Sequence, residues 1–206
     1  MPTLFGSGIK RREDPRLITG TATYTDDVKL PGLTYAAILR SPYAHAKIKS
    51  IDVKAARKAP GVLAVYTGAD LKDRLVPVPC AWAVPNCDLK LPPHPQLAYD
   101  RVRYVGDGVA LVVAQTRAQA RDALDLIEVD YQALPAVVNP EKAVAGGAPL
   151  LHDEAPGNQA FKWIVAGGDA EAAFAAAPVK VSLKIVQQRL LPTAMEPRAA
   201  VASYNQ

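Results

Sequence analysis

The sequence predicts an α+β fold in which helices pack on a mixed sheet. Two observations carry that expectation. The order strand, short helix, strand occurs twice, within residues 35–66 and within residues 103–131. Apolar side chains make up 50% of the 206 residues, enough for a buried core and too many for a disordered chain.

Taken in order, residues 1–19 are polar and rich in Arg, and read as an extended arm. Tyr35–Leu39 is a short apolar run of β-prone side chains, and Ile48–Ile51 reads as a second strand. Val53–Lys58 suits a short helix ended by Pro60-Gly61, because proline disfavours helix in the residue before it. Val62–Tyr66 then reads as a strand. Pro77, Pro79, Pro85, Pro92, Pro93 and Pro95 exclude a central strand or helix over 76–97, leaving a stiff loop that covers a surface. Arg103–Val105 and Val109–Ala114 read as strands, bent by Gly106 and Gly108. Thr116 stands as N-cap with Gln119 at capping-box spacing, and Ala120, Ala123, Leu124 and Ile127 make one apolar helix face. Val129 and Tyr131 open a strand that stops at Pro135.

Residues 135–168 read mostly as connection, with Gly146-Gly147, Pro149, Pro156 and Gly167-Gly168. Asp169 caps a short helix over Ala170–Ala176, ended by Pro178. Val179–Gln187 then alternates, with Val179, Val181, Leu183 and Ile185 on one face and Lys180, Ser182 and Lys184 on the other. A further strand, Ala199–Tyr204, has begun at Gln206, and the expectation is that the sheet to which these runs belong is interrupted there.

Charge excludes some functions. Twenty-four basic residues are scattered among 20 acidic ones for a net charge of +4, and the basic run Lys10-Arg11-Arg12 is followed at once by Glu13-Asp14. That is a solvated surface rather than the one-sided basic stripe of a nucleic-acid binder. Cys80 and Cys87 neither build a disulfide framework nor have the paired short spacings of a zinc site. No membrane span or signal peptide is read from the apolar runs, so a reduced cytoplasmic setting is expected.

Candidate chemistry is sparse. Gly6-Ser7-Gly8 and Gly106-Asp107-Gly108 complete no phosphate-binding fingerprint and read as turns or bulges. His45, at a strand exit, is read as a buried, hydrogen-bonded structural imidazole in preference to a catalytic base. Asp26-Asp27 read as turn-forming or salt-bridging carboxylates. Glu196, bracketed by Pro192 and Pro197 with Arg189 and Arg198 nearby, is either an ordinary ion pair that positions a loop or a site-proximal carboxylate.

As a set, these motifs resemble the large subunits of the molybdenum hydroxylases: the xanthine dehydrogenase, aldehyde oxidase and aerobic carbon monoxide dehydrogenase family. The blocks are Arg12-Glu13-Asp14-Pro15-Arg16-Leu17-Ile18-Thr19-Gly20, Ala22–Asp27, Leu39–Ala46, Arg103–Ala110 and Val129–Pro135. Gln188-Arg189 and Met195-Glu196-Pro197-Arg198 are similar to the segment where that family's molybdopterin-binding region begins.

The resemblance implies an extended arm over 1–19, an α/β hammerhead domain over 20–135, a linker over 136–149 and, over 150–206, the first strands of a molybdopterin-binding domain. It implies an oxidoreductase that hydroxylates an aldehyde or N-heterocycle, or oxidises carbon monoxide, with water as oxygen source. Its cofactor would be molybdenum-molybdopterin, with Fe-S and FAD on partner subunits. The expected partners are the rest of the large subunit, the iron–sulfur and FAD subunits and a small-molecule substrate. The family's G-G-x-F-G loop and its catalytic glutamate have no counterpart here, so the resemblance supplies no catalytic residue and no cofactor bound by this chain alone. Arg189 and Glu196 are the site-proximal candidates. The alternatives are a non-catalytic binding or assembly module, or a truncated product, that keeps the hammerhead fold.

Overall fold

The structure is a computed structural model that describes residues 5–82, 86–188 and 190–205. Residues 34–175 form one compact unit, and the segments before and after it form another.

Within 34–175 the chain runs β1 (Tyr35–Arg40), β2 (Ala46–Asp52), α1 (Lys54–Lys58), β3 (Val62–Thr67), α2 (Gly68–Leu71), β4 (Arg101–Val102), β5 (Gly108–Ala114), α3 (Arg117–Asp122) and β6 (Glu128–Ala133). Short helices α4 (Pro140–Ala143) and α5 (Ala170–Ala176) follow. The strands make two three-stranded sheets, β1-β5-β3 and β4-β2-β6. Every described pairing is antiparallel, which corrects the expectation of a mixed sheet. The reason is topological. Each strand, helix, strand passage leaves one sheet and enters the other, β2 to β3 through α1 and β5 to β6 through α3. Neither passage is a crossover within one sheet, so neither creates a parallel pair.

Strand β5, with the sequence Gly-Val-Ala-Leu-Val-Val-Ala, lies between β1 and β3 and is the most buried strand. Its near-continuous apolar run fits a strand covered on both faces. One core joins Val65, Ala110, Val112 and Ala114 to Ala56 of α1 and to Ala120 and Ala123 of the α3 segment. A smaller one gathers Ala46, Ala98, Val102 and Val109. Ile51 and Val129 pack against both clusters and join the two sheets. Helix α3 starts as expected, with Thr116 Oγ1 accepting from the Gln119 amide at 3.2 Å. It passes into a 3-10 turn over Ala123–Leu126, so the apolar face continues with tighter winding.

Two elements differ from the sequence expectation here. Residues 103–105 form a turn, because the Arg103 and Gly106 amides are bonded away from any ladder, to the Asp107 carboxylate and the Ser41 carbonyl. Helix α2 has no counterpart in the sequence reading. Its N-cap Thr67 donates through its amide and hydroxyl to the Asp70 carboxylate at 2.7 and 2.8 Å, and these bonds hold that carboxyl below its ordinary range. The proline-rich loop is closed across its base by the Val78 amide donating to the His94 carbonyl at 2.8 Å, while Pro85 lies outside the described residues.

The other unit holds a short helix over Asp14–Ile18 inside the expected arm, and a 3-10 turn over Thr25–Asp27. There Asp27 accepts from the Tyr24 amide at 3.0 Å, the turn-forming role expected of it. The alternating run 179–187 and the run 199–204 are not strands, and Val179, Val181, Leu183 and Ile185 are 77–84% exposed. This corrects the expectation of first strands there. A strand is held by a neighbour's amides and carbonyls, and no described segment pairs with either run. Among the described residues no helix is long and apolar enough to cross a membrane.

Gly68 opens α2 against the backbone of the proline loop's end. A Cβ there would stand 2.4 Å from the Ala98 carbonyl oxygen, inside any tolerated contact. Gly68→Ala is expected to lower stability by about 2–3 kcal/mol. Urea unfolding checks this, and wild-type stability would mean that residues 97–98 yield freely.

Candidate functional site

Three sequence blocks, 39–46, 103–110 and 129–135, meet in one polar knot. Strand β1 ends with a register shift at Leu39/Arg40, opposite Gly108. Beyond it the Ser41 amide donates to the Asp107 carbonyl and the Gly106 amide donates to the Ser41 carbonyl, both at 2.8 Å. The Arg40 guanidinium caps the Gly106 carbonyl at 2.8 Å. Gly106 has φ +92°, a conformation open to glycine, so this turn accounts for the glycine pair around Asp107. The reading of that pair as a turn or bulge holds.

Ser41 is buried, and its Oγ accepts from the Tyr43 amide at 3.0 Å, turning the chain toward His45. His45 is 6% exposed, and its Nδ1 donates to the Pro135 carbonyl at 2.8 Å. A carbonyl only accepts, so Nδ1 carries the proton. The Leu134 amide returns a bond to the His45 carbonyl at 2.9 Å. His45 is thus the structural imidazole expected from the sequence. Tyr43 packs on Tyr131 with ring centroids 5.1 Å apart.

Asp107 is 7% exposed, and its carboxylate accepts from the Arg103 amide at 3.1 Å. Burial, and then the charge of Asp107, push the Tyr104 phenol above its ordinary value. Burial also raises Tyr131, against a hydrogen bond with Ser41 and with further contributions from Asp107 and Tyr43. Phenols pushed upward stay protonated at neutral pH and serve as hydrogen-bond donors rather than bases. Together with the backbone bonds of the knot, these donors orient chain segments.

Arg103 carries the knot outward, donating from Nε to the Leu151 carbonyl at 3.3 Å. Asn158 binds the same segment from its other side, accepting from the Leu151 amide and donating to the Ala143 and Pro149 carbonyls, each at 2.9 Å. Between this segment and the proline loop lies a half-open groove of about 400 Å³, walled by Pro92, Pro93, Tyr104 and Leu151, with Arg101 and His152 on its lining.

Of the sequence candidates at the end of the chain, Glu196 alone lies among the described residues. Glu196 is exposed and forms no salt bridge among the described residues, and Arg189 lies outside them. Among the described residues no three His, Cys, Asp or Glu side chains are grouped to hold a metal ion. Sequence reasoning missed Ser41, Arg103, Asp107 and His152. Asp107 between two glycines, on the approach to the most apolar strand, was the available signal.

Residues 19–135 match the family profile described as the aldehyde oxidase and xanthine dehydrogenase a/b hammerhead domain. The chain is 37% identical over 202 residues to the nicotine 6-hydroxylase large subunit of Paenarthrobacter nicotinovorans, covering 98% of this chain and 24% of that one. It is 40% identical over 227 residues to the carbon monoxide dehydrogenase large chain of Afipia carboxidovorans, covering 98% and 26%. Its fold is similar to quinoline 2-oxidoreductase from Pseudomonas putida, with TM-score 0.64, 44% identity, and coverage of 69% of this chain and 18% of that one. It is also similar to the aldehyde oxidoreductase of Desulfovibrio gigas, with TM-score 0.70, 32% identity, and coverage of 82% and 19%. The chain thus spans about a quarter of the length of the curated relatives it matches.

Asp107→Ala removes the acceptor for a backbone amide in the knot and is expected to cost about 1–3 kcal/mol. Asp107→Asn, which keeps an acceptor, should cost less. Denaturant unfolding checks both. Spectrophotometric titration should show Tyr104 ionising at lower pH in either variant, though still above its ordinary value because burial remains.

Proposed function

The chain belongs to the aldehyde oxidase and xanthine dehydrogenase hammerhead family, and from that premise we propose that it is the amino-terminal part of a molybdenum-cofactor oxidoreductase subunit. The reaction we infer is hydroxylation of an aldehyde or N-heterocycle, or oxidation of carbon monoxide, with oxygen drawn from water. Iron–sulfur and FAD subunits would carry the electrons away. The observation that carries this reading is the convergence of the 39–46, 103–110 and 129–135 blocks in one bonded knot. Similarity running over 98% of the chain to molybdenum-hydroxylase large chains supports it.

We propose residues 20–135 as the hammerhead domain and 150–206 as the beginning of the cofactor-binding domain. No catalytic step is assigned to side chains of this chain. When bound, molybdopterin supplies the redox and oxygen-transfer chemistry, and the protein orients the reactants around it. The role we give this chain is architectural. The knot holds the hammerhead sheets, and Glu196, paired with Arg189, would brace the connection on which the cofactor domain begins.

The test is the complete subunit with its partners. It should contain molybdenum and pterin, and transfer label from 18O-water into the product of an aldehyde or heterocycle, or into carbon dioxide from carbon monoxide. Purified complex without molybdenum, or product oxygen drawn from O2, contradicts the reading. Glu196→Gln should lower molybdenum content or turnover of that complex while leaving the stability of the 206-residue chain unchanged. Wild-type molybdenum content and turnover would return Glu196 to ordinary surface charge.

A further inference from the structure

The groove beside the knot has walls and a charge that the architectural role leaves unused. Its apolar surface comes from the rigid rings of Pro92, Pro93 and Pro95, the flat Tyr104 ring, and the side chains of Leu151 and Ala155. Its basic lining is His94, Arg101, Arg103 and His152, with His94 Nε2 lying 3.3 Å from the Tyr104 hydroxyl. These groups differ in what already satisfies them. Arg103 donates to the Leu151 and Arg101 carbonyls and lies 3.8 Å from Asp100. Asp107, the one acid on the lining, is committed to the Arg103 amide.

Arg101 has no such partners. Among the described residues its guanidinium forms no ion pair, and its Nε is buried without a hydrogen bond. His152 likewise keeps Nδ1 buried without a partner. A partly buried cation with no anion is costly, and an incoming carboxylate relieves that cost with charge-assisted bonds. The volume, about 400 Å³, suits a one- or two-ring molecule.

We propose that this groove binds a small aromatic carboxylate, with its carboxylate on Arg101 and His152 and its ring between the proline loop and Leu151. Binding is non-covalent. It is linked to protonation in a definite direction. Burial and then the Arg103 charge lower the His152 pKa, with His45 acting the same way and Glu154 and Asp153 opposing. His152 is therefore neutral in the free chain at neutral pH. A bound carboxylate favours the imidazolium, so binding takes up a proton and strengthens as pH falls through the ordinary histidine range.

The test is titration calorimetry of the 206-residue chain with 2-naphthoate and, as neutral isostere, 2-naphthamide. The acid should bind at least about tenfold more tightly than the amide, one tenfold step matching one charge-assisted contact. Its affinity should rise from about pH 7.5 to about pH 5.5, where aromatic acids remain ionised. Arg101→Gln should remove most of the preference for the acid, and His152→Gln should remove the pH dependence, which His94→Gln should leave in place. Equal affinity for acid and amide, no binding of either, or acid binding unchanged by Arg101→Gln overturns the proposal. If Arg101→Gln does not fold, the acid-over-amide preference of the wild-type chain decides, together with its pH dependence and the loss of that dependence in His152→Gln.

Discussion

The unit over 34–175 depends on a pair of backbone hydrogen bonds: Ser41 amide to Asp107 carbonyl, and Gly106 amide to Ser41 carbonyl. They close the exit of β1 against the entry of β5 at the point where both strands leave their sheet. Beyond that point the chain from Ser41 leads into β2 of the second sheet, while the chain before Asp107 comes from β4 of the same second sheet. One reciprocal contact therefore sets how the two sheets follow one another along the chain. The buried Asp107 carboxylate, Ser41 Oγ and the Arg40 guanidinium satisfy the polar groups that such a turn exposes.

The packing around that joint is made of small side chains. Ala56, Ala110, Ala114, Ala120 and Ala123 let α1 and α3 approach the β1-β5-β3 sheet closely, with valines filling the gaps. Such a core has little slack, because a close-packed interior answers even one added methylene with a shift of its neighbours. Gly68, seated against the Ala98 carbonyl, is the extreme case of the same constraint. The groove lies at the rim, where rigid prolines and the bonded 151–158 segment replace the alanine layer.

Much of this was legible residue by residue. The unbroken apolar run of β5, the Thr116 cap, the proline loop and the structural role of His45 are all local patterns with one physical reading. Three things were not legible. Period-two alternation is the same in parallel and antiparallel strands, so the strand, helix, strand order could not reveal that each helix changes sheet. Residues 103–105 have strand composition, and only tertiary contacts show that the Asp107 side chain takes the Arg103 amide, and the distant Ser41 carbonyl the Gly106 amide, out of a ladder. The unpaired Arg101 and His152 are visible only once the proline loop and the 151–158 segment are brought together. The family blocks were legible as motifs, but their meeting in one knot belongs to tertiary structure.

The alternating run 179–187 shows the opposite limit. Its sequence has the pattern of a half-buried strand, yet its apolar side chains stand in solvent because no described segment supplies a ladder. Local pattern and tertiary partner are separate requirements, and 34–175 satisfies both. Residue-resolved hydrogen exchange on the 206-residue chain tests this account most directly. The Ser41 and Gly106 amides should exchange only with global unfolding, while amides over 179–187 exchange at nearly unprotected rates. Fast exchange at Ser41 and Gly106, with protection across 179–187, would contradict it.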